Sequence, residues 1–350
     1  MPDVLVVNAG STSMKLHLVD DDEHSTPIAS FAEVPADVRV VAHRVVHGGA
    51  RFREPVAIDD SVREAIRALV SLAPLHNAPG LQAIEEAERA LPSVPHIAVF
   101  DTSFHSSIPE EAGLYAVPAR WRDEWGIRRY GFHGLSVQWS AERVPELLGR
   151  PVDRLVVCHL GGGSSVTAVV GGRSVDTTMG FSPQSGLENA TRHGDLDVFA
   201  VLYMMERHGW STEDVRRQLA KVGGLAGLSG VDGGDVRDLE SAAASGNRRA
   251  ELALDVFVYQ VKKTIGAFAA AMGGIDAVAF TGGIGENSAR LRERCCEGLE
   301  FLGICIDTVR NSAGSGDRPV SADDSRVTVL ALSTNEELVV ARRAYRALTQ

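Results

Sequence analysis

Two short glycine- and serine-containing turns are the residues best placed to do chemistry. NAGSTS sits inside VLVVNAGSTSMKLHLV at Val4–Val19, and HLGGGSS sits inside RLVVCHLGGGSSVTAVVGG at Arg154–Gly172. Each reads as strand, tight loop, strand, a hairpin with a phosphate-sized turn. They lie about half a chain apart, so the chain reads as two related halves, and two such loops suggest a phosphate clamp. A third segment, DAVAFTGGIGENSARLRERC from Asp276, reads as a buried strand, a glycine loop at Gly282–Gly285 and a helix whose N-terminal amides would face an anion. No G-x-x-x-x-G-K-[ST] occurs and GGIGEN does not fit G-x-G-x-x-G, which excludes a P-loop and a dinucleotide fingerprint. If a nucleotide binds, the hairpin loops hold it.

The elements that must position these loops are those of an α/β chain. VRVVAHRVVHGG at Val38–Gly49 reads as a strand running into a loop, and HIAVFD puts Asp101 at the carboxyl end of a buried strand, where open α/β sheets place ligands. Ser61 with Glu64 predicts a capping box for a helix beginning near Val62, and Thr334 with Glu337 a second one for the final helix. That last helix, with Leu338, Ala341, Tyr345 and Leu348 on one face, is expected to pack back on the first domain. Helices are predicted at Gly80–Leu91, Leu135–Leu148, Thr212–Val222, Asp235–Ala244 and Asn247–Ala271, with a flexible loop at Asn311–Arg318.

The 350 residues favour two domains, and 44% hydrophobic content supplies two cores. A net charge of −11 argues against a nucleic-acid partner but not against a small anion. Cys158, Cys295, Cys296 and Cys305 lack metal-ligand spacing and read as reduced thiols. The N-terminus lacks a signal-peptide pattern and no stretch reaches membrane-spanning length, so no membrane partner and a cytoplasmic location are expected.

In order along the chain, NAGSTSMK, HRVVHGG, APLHN, VFDTSFH, RRYGFHG, HLGGGSS, VDTTMGFSP, TRHGDLD, FTGGIGEN and TNEEL resemble the acetate kinase family from Asn8 to Leu338. The resemblance implies two ribonuclease-H-like domains of the kind found in actin, hexokinase and heat-shock chaperones, with ATP in the interdomain cleft. The first domain would hold residues 1–102 and 338–350, and the nucleotide-binding domain residues 103–337. The implied reaction is reversible transfer of the ATP γ-phosphoryl group to acetate, with Mg²⁺ or Mn²⁺ and with a homodimer as the assembly.

A carboxylate acceptor is already anionic at neutral pH and needs no general base; it needs cations that bring two anions together in line. By resemblance, Arg44 and Arg192 clamp the carboxylate and the phosphoryl group, His133 and His159 donate to its oxygens, and His76 lies nearby. Asp101 and Glu336 hold hydrated Mg²⁺, with Asn8 beside the phosphates. Arg44 and Val46 are two apart on one strand and face the same side, a cation next to an apolar contact. The family's acyl pocket maps onto Val46, Leu75, Phe132 and Pro183. Its nucleotide site maps onto Ser11, Ser13, Lys15, Gly161, Gly162, Gly163, Gly283, Ile284, Gly285 and Asn287, with Asp235, Val236 and Arg237 near the nucleoside.

Three features depart from the family. Asp20–Asp37 replaces a segment several dozen residues longer, and eighteen residues do not supply both an edge strand and a crossover helix. Ala29–Val34 is expected to survive as a strand with the helix lost, or the reverse. Gly162 stands where the family has asparagine, and Asn189–Ala190 where it has methionine and glycine. The competing readings are a propionate or other short-chain carboxylate kinase, a transfer-deficient nucleotide-dependent conformational protein, and a sugar kinase; both arginines and all three histidines count against the last two.

Overall fold

The computed structural model describes residues 3–9, 14–71 and 74–349, and the side chains of 71–76 are outside that description. The chain divides into two compact units. The first comprises residues 1–108, 114–139 and 335–350, and the second residues 109–113 and 140–334. Residues 103–108, 114–139 and 335–337, assigned by the sequence to the second domain, therefore belong to the first unit.

Each unit holds one six-stranded mixed sheet. The first is built from β1 (Val4–Ala9), β2 (Met14–Val19), β3 (Ser25–Ile28), β4 (Val40–Val45), β5 (Val56–Ala57) and β6 (His96–Phe100), in the order β3-β2-β1-β4-β6-β5. The second comprises β7 (Arg154–His159), β8 (Ser165–Val170), β9 (Arg173–Thr177), β10 (Ala277–Thr281), β11 (Arg318–Pro319) and β12 (Thr328–Ala331), in the order β9-β8-β7-β10-β12-β11. In both, an antiparallel meander of three strands is followed by two parallel strands and an antiparallel edge. The duplication read from the two hairpins is thus a duplication of the whole sheet order.

The nearly continuous apolar strands follow from helices on both faces. In the first unit, Val4, Val6, Val40, Ala42, Ile97 and Val99 pack against Leu338, Val339, Ala341 and Ala344 of the Glu336–Thr349 helix. Leu5, Val7 and Val41 point the other way, onto Ala83 and Ala87 of the Pro74–Ala90 helix. In the second unit, the long Arg248–Ala271 helix lays Leu254, Phe257, Val261 and Ile265 over Val156, Cys158, Val278 and Phe280. All four cysteines are free thiols, three of them buried.

Several local expectations are corrected. The shortened segment keeps an edge strand, but at Ser25–Ile28, where Pro27 is tolerated because the strand is at the edge. Ala29–Val34 is no strand: Phe31–Glu33 forms one 3-10 turn, whose Phe31 and Val34 pack beside Leu18 and Ile28, and the crossover helix is lost. The Asp60–Ala68 helix is capped by Asp59, whose carboxylate accepts the Val62 amide at 2.8 Å, not by Ser61. At the final helix, Asn335 rather than Thr334 accepts an amide, that of Leu338 at 3.2 Å. GGIGEN is not a loop before a helix but is itself a helix, Gly282–Asn287, starting directly after β10. Asn311 is fully buried in the Thr308–Ser312 helix. No helix among the described residues is long and apolar enough to cross a membrane.

Candidate active site

In the first unit, the parallel strands β1, β4 and β6 bring their carboxyl ends together, the usual ligand edge of such a sheet. Asn8 on β1 is the direct register partner of Arg44 on β4, and Asp101 follows β6. Arg44 Nε donates to one Asp101 oxygen at 3.0 Å and Nη2 to the other at 2.7 Å, a two-pronged charge-assisted contact. Its Nη1 donates to Asn8 Oδ1 at 3.1 Å, and Nη2 lies 3.4 Å from Glu336 Oε2. Asn8 Nδ2 in turn donates to Glu337 Oε1 at 3.4 Å. Glu336 and Glu337 occupy the first turn of the last helix, where its dipole favours carboxylates.

This cluster holds one guanidinium among three carboxylates. Burial alone would lower the Arg44 pKa, but Asp101, Glu336 and Glu337 outweigh it and raise it, so Arg44 stays a cation. Burial raises the Glu336 carboxyl, Arg44 opposes that, and Asp101 and Glu337 reinforce it. The donor set suits a magnesium ion, which takes one or two carboxylates and keeps several waters. Asp101 and Glu336, both in contact with Arg44 Nη2, are the two carboxylates that would hold such an ion. Among the described residues no group of three or more His, Cys, Asp or Glu closes on one point, so an all-protein cage is not offered.

Near this edge, Phe132 is buried edge-on to the His47 ring with centroids 5.5 Å apart, and its carbonyl accepts from His105 Nε2 at 2.9 Å. Burial pushes the His105 imidazole down to about 4. His133 follows with a left-handed φ of 58°, and its carbonyl receives the Val137 amide at the start of the Gly134–Leu148 helix. Val46, one residue past β4, is half-buried, and Lys15 on β2 is exposed. Ser11 and Ser13 lie outside the described residues, as do the side chains of Leu75 and His76.

In the second unit, Gly161, Gly162, Asp235, Val236, Arg237, Gly283, Ile284 and Asn287 line one cleft of about 600 Å³. Two glycine segments form one end. The HLGGGSS turn is closed by Ser164, whose hydroxyl donates to the Gly161 carbonyl at 3.1 Å. The Gly282–Asn287 helix is tied to it because the Ile284 and Gly285 amides both donate to the Leu160 carbonyl, at 2.8 and 3.2 Å. Gly285 is therefore a buried joint between the loops, whereas Gly283 remains on the cleft wall. Gly282 has a φ of +76°, and a Cβ there would lie 2.6 Å from the Leu160 carbonyl oxygen. A Cβ on Gly162 or Gly283 would meet nothing within 4 Å.

His159 ends β7 before the turn and Gly163 lies within it, and neither lines the cleft. Arg192 Nη1 donates to the Pro183 carbonyl at 2.8 Å within its own polar loop, and burial lowers its pKa. Asp235 caps the Val236–Ala244 helix and holds Arg237 at 2.7 Å, which keeps its carboxyl below the usual range.

Sequence reasoning missed the residues that brace these loops. Asn189 is fully buried; its Oδ1 accepts the Ser164 amide and its Nδ2 donates to the Leu187 carbonyl. This gives the Asn189 departure a physical role, since a side-chain amide here anchors the glycine turn. Arg292, also buried, donates to the carbonyls of Gly285 and Glu286 and to Asn311, and burial lowers its pKa to about 10. Glu240, four residues after Val236 and so on the same helix face, also lines the cleft.

The repeated sheet order defines the duplicated ribonuclease-H-like fold class. The sequence profile of the acetokinase family matches residues 27–342, and the chain belongs to that family. It is 49% identical to the acetate kinase of Alkaliphilus metalliredigens over 323 residues, covering 92% of this chain and 80% of the relative. With the acetate kinase of Methanosarcina acetivorans it shares 46% identity over 308 residues, 87% of this chain and 75% of the relative. Among solved structures, a propionate kinase from Francisella tularensis superposes with a TM-score of 0.91 at 32% identity, over 99% of this chain and 100% of that one. The acetate kinase of Porphyromonas gingivalis gives 0.88 at 32% identity over the same shares.

Proposed function

We propose that this chain transfers the γ-phosphoryl group of ATP to acetate, reversibly, giving acetyl phosphate and ADP. The observation that carries the reading is Arg44, a permanent cation held at the carboxyl edge of the first sheet by Asp101, Asn8 and Glu336. An acetate ion needs charge pairing and alignment rather than a base, and a fixed guanidinium supplies both. Val46 and Phe132 provide apolar contact for a short acyl end.

In the second unit, the cleft of about 600 Å³ lies within the usual range for a small-molecule site, and its glycine end offers backbone to phosphates. His159 and Arg192, beside that cleft's loops in sequence, are the second unit's candidate donors to a phosphoryl group, and His133 is a candidate donor of the first unit. Asp101 and Glu336 would hold Mg²⁺, which neutralises phosphate charge when bound. A homodimer is supported by the Val198–His208 helix, where Val198, Phe199, Leu202 and Tyr203 are exposed. Phe199→Asp should then yield a monomer in sedimentation; an unchanged dimer would place the interface elsewhere.

The test is Arg44→Ala and Arg192→Ala, each assayed for ATP binding and for acyl phosphate trapped as hydroxamate. Both variants should bind ATP and lose acetyl phosphate formation. Near-normal product from either removes that arginine from the site.

A further inference from the structure

At the end of the nucleotide cleft away from the glycine turns, Glu240 and Ser288 meet. Ser288 Oγ donates to Glu240 Oε1 at 2.9 Å, and both residues line the cleft. The same Ser288 oxygen accepts the Leu291 amide at 3.2 Å, capping the Ala289–Cys296 helix, so the pair is fixed to the frame. Glu240 Oε2 has no protein partner among the described residues. A carboxylate accepts hydrogen bonds and cannot donate them.

The Gly282–Asn287 helix sets the distance. Its N-terminal glycines stand at the phosphate end, and Ser288 follows its last residue, a rise of about 9 Å along the axis. That separation matches a nucleoside laid along the helix with its phosphates at the glycine turns and its base at Ser288 and Glu240. Leu225, Val236 and Ile284 supply apolar wall there, with Val236 on the same helix face as Glu240. Apolar walls beside an open carboxylate oxygen recognise a flat ring that carries a donor on its edge. Adenine presents a 6-amino donor where guanine and hypoxanthine present a carbonyl acceptor.

We propose that Glu240, held by Ser288, reads the 6-amino group of the nucleotide base and sets a preference for adenine over 6-oxopurines. The proposal rests on the nucleotide reading of this cleft. A site built to hydrogen-bond one group penalises the analogue that lacks it, because its own polar atom is left unpaired.

The experiment compares ADP with IDP in equilibrium binding, and ATP with ITP as phosphoryl donors, for the wild-type chain, Glu240→Gln and Glu240→Ala. The wild type should favour the adenine nucleotide about tenfold or more in both Kd and kcat/KM. In Glu240→Gln the adenine value should fall while the hypoxanthine value holds or improves, because an amide can donate to a 6-oxo group. Glu240→Ala should lose the preference, with both nucleotides weak. A wild type that binds both equally, or a Gln variant that keeps the wild-type ratio, overturns the proposal, as does a loss seen with 2′-deoxy-ADP instead, which would assign Glu240 to the ribose. If adenine-selective binding is present but no acid accepts phosphate, the transfer reading fails and this inference stands. Thermal melting separates a misfolded variant from an altered preference, and Ser288→Ala, which frees Glu240 without removing it, should narrow the ratio in a folded protein.

Discussion

Arg44 and Asp101 face each other at the carboxyl ends of neighbouring strands β4 and β6, with both Asp101 oxygens engaged by one guanidinium at 3.0 and 2.7 Å. Asp101 is almost fully buried. The arginine is therefore oriented by the protein before any acid arrives. An incoming carboxylate would share a cation whose direction is already set, avoiding much of the cost of ordering it.

Removing either partner leaves the other uncompensated. Arg44→Ala strands Asp101 and Glu336 beside each other, and breaking such a buried pair costs about 3–5 kcal/mol of stability. Activity should fall by roughly 10²-fold or more, as for loss of one charge-stabilising donor. Denaturant unfolding and the rate of acyl phosphate formation check the two effects. Arg44→Lys keeps the charge but loses the fork, and should recover stability better than rate.

Asn189 gives a second prediction. Asn189→Ala leaves the buried Ser164 amide without its acceptor, which costs about 1–3 kcal/mol. Because the amide belongs to the glycine turn that lines the cleft, the KM for ATP should rise together with the loss of melting temperature. A lowered melting temperature with an unchanged KM would make Asn189 a support of the core alone.

Much of this was legible from the sequence because it depends on local pattern. Both hairpins, the strand ending at Asp101 and the helix packing through Leu338 and Ala341 follow from β-rich runs, glycine turns and 3.6-residue periodicity. The shift of the edge strand to Ser25–Ile28 was not legible, since its pairing with β2 is a tertiary choice that overrides the apolar character of Phe31 and Val34. The caps moved by one or two residues because Asp59 and Asn335 are N-cap formers as good as Ser61 and Thr334, and they accept the amides three residues on, those of Val62 and Leu338. The bracing by Asn189 and Arg292 joins residues 25 and 19 positions apart to their partners Ser164 and Asn311, contacts that no local spacing encodes.

The two glycines at the head of the GGIGEN helix should behave oppositely. Gly282→Ala places a Cβ against the Leu160 carbonyl at a left-handed φ, and the fold should lose about 1–3 kcal/mol or more. Gly283→Ala has open space, so melting should stay within about 0.5 kcal/mol of wild type, while the added methyl enters the cleft and raises the KM for ATP. Melting curves and nucleotide titrations of the two variants check this contrast.

Acid should destabilise the first unit through its buried imidazoles. His43, stacked on His96 with Nε2 to Nδ1 at 2.9 Å, is held neutral by burial down to about pH 3. Below pH 6.5 the unfolded chain binds a proton that the folded chain refuses, so stability is full above that pH and falls by about 1.4 kcal/mol per unit toward pH 3. His105, lowered to about 4, adds to the slope. Urea unfolding between pH 7 and 4 should show this decline, and His43→Gln should make it shallower; an identical slope would remove His43 as a contributor.

Acetate phosphorylation is tested most directly by hydroxylamine-trapped acyl phosphate formation with ATP and Mg²⁺, run across formate, acetate, propionate and butyrate with glycerol and glucose as controls. Product that peaks at acetate, depends on ATP and is absent with the sugars and glycerol is the predicted result. A peak at propionate would move the substrate and keep the mechanism. ATP binding without product from any carboxylate would contradict the account.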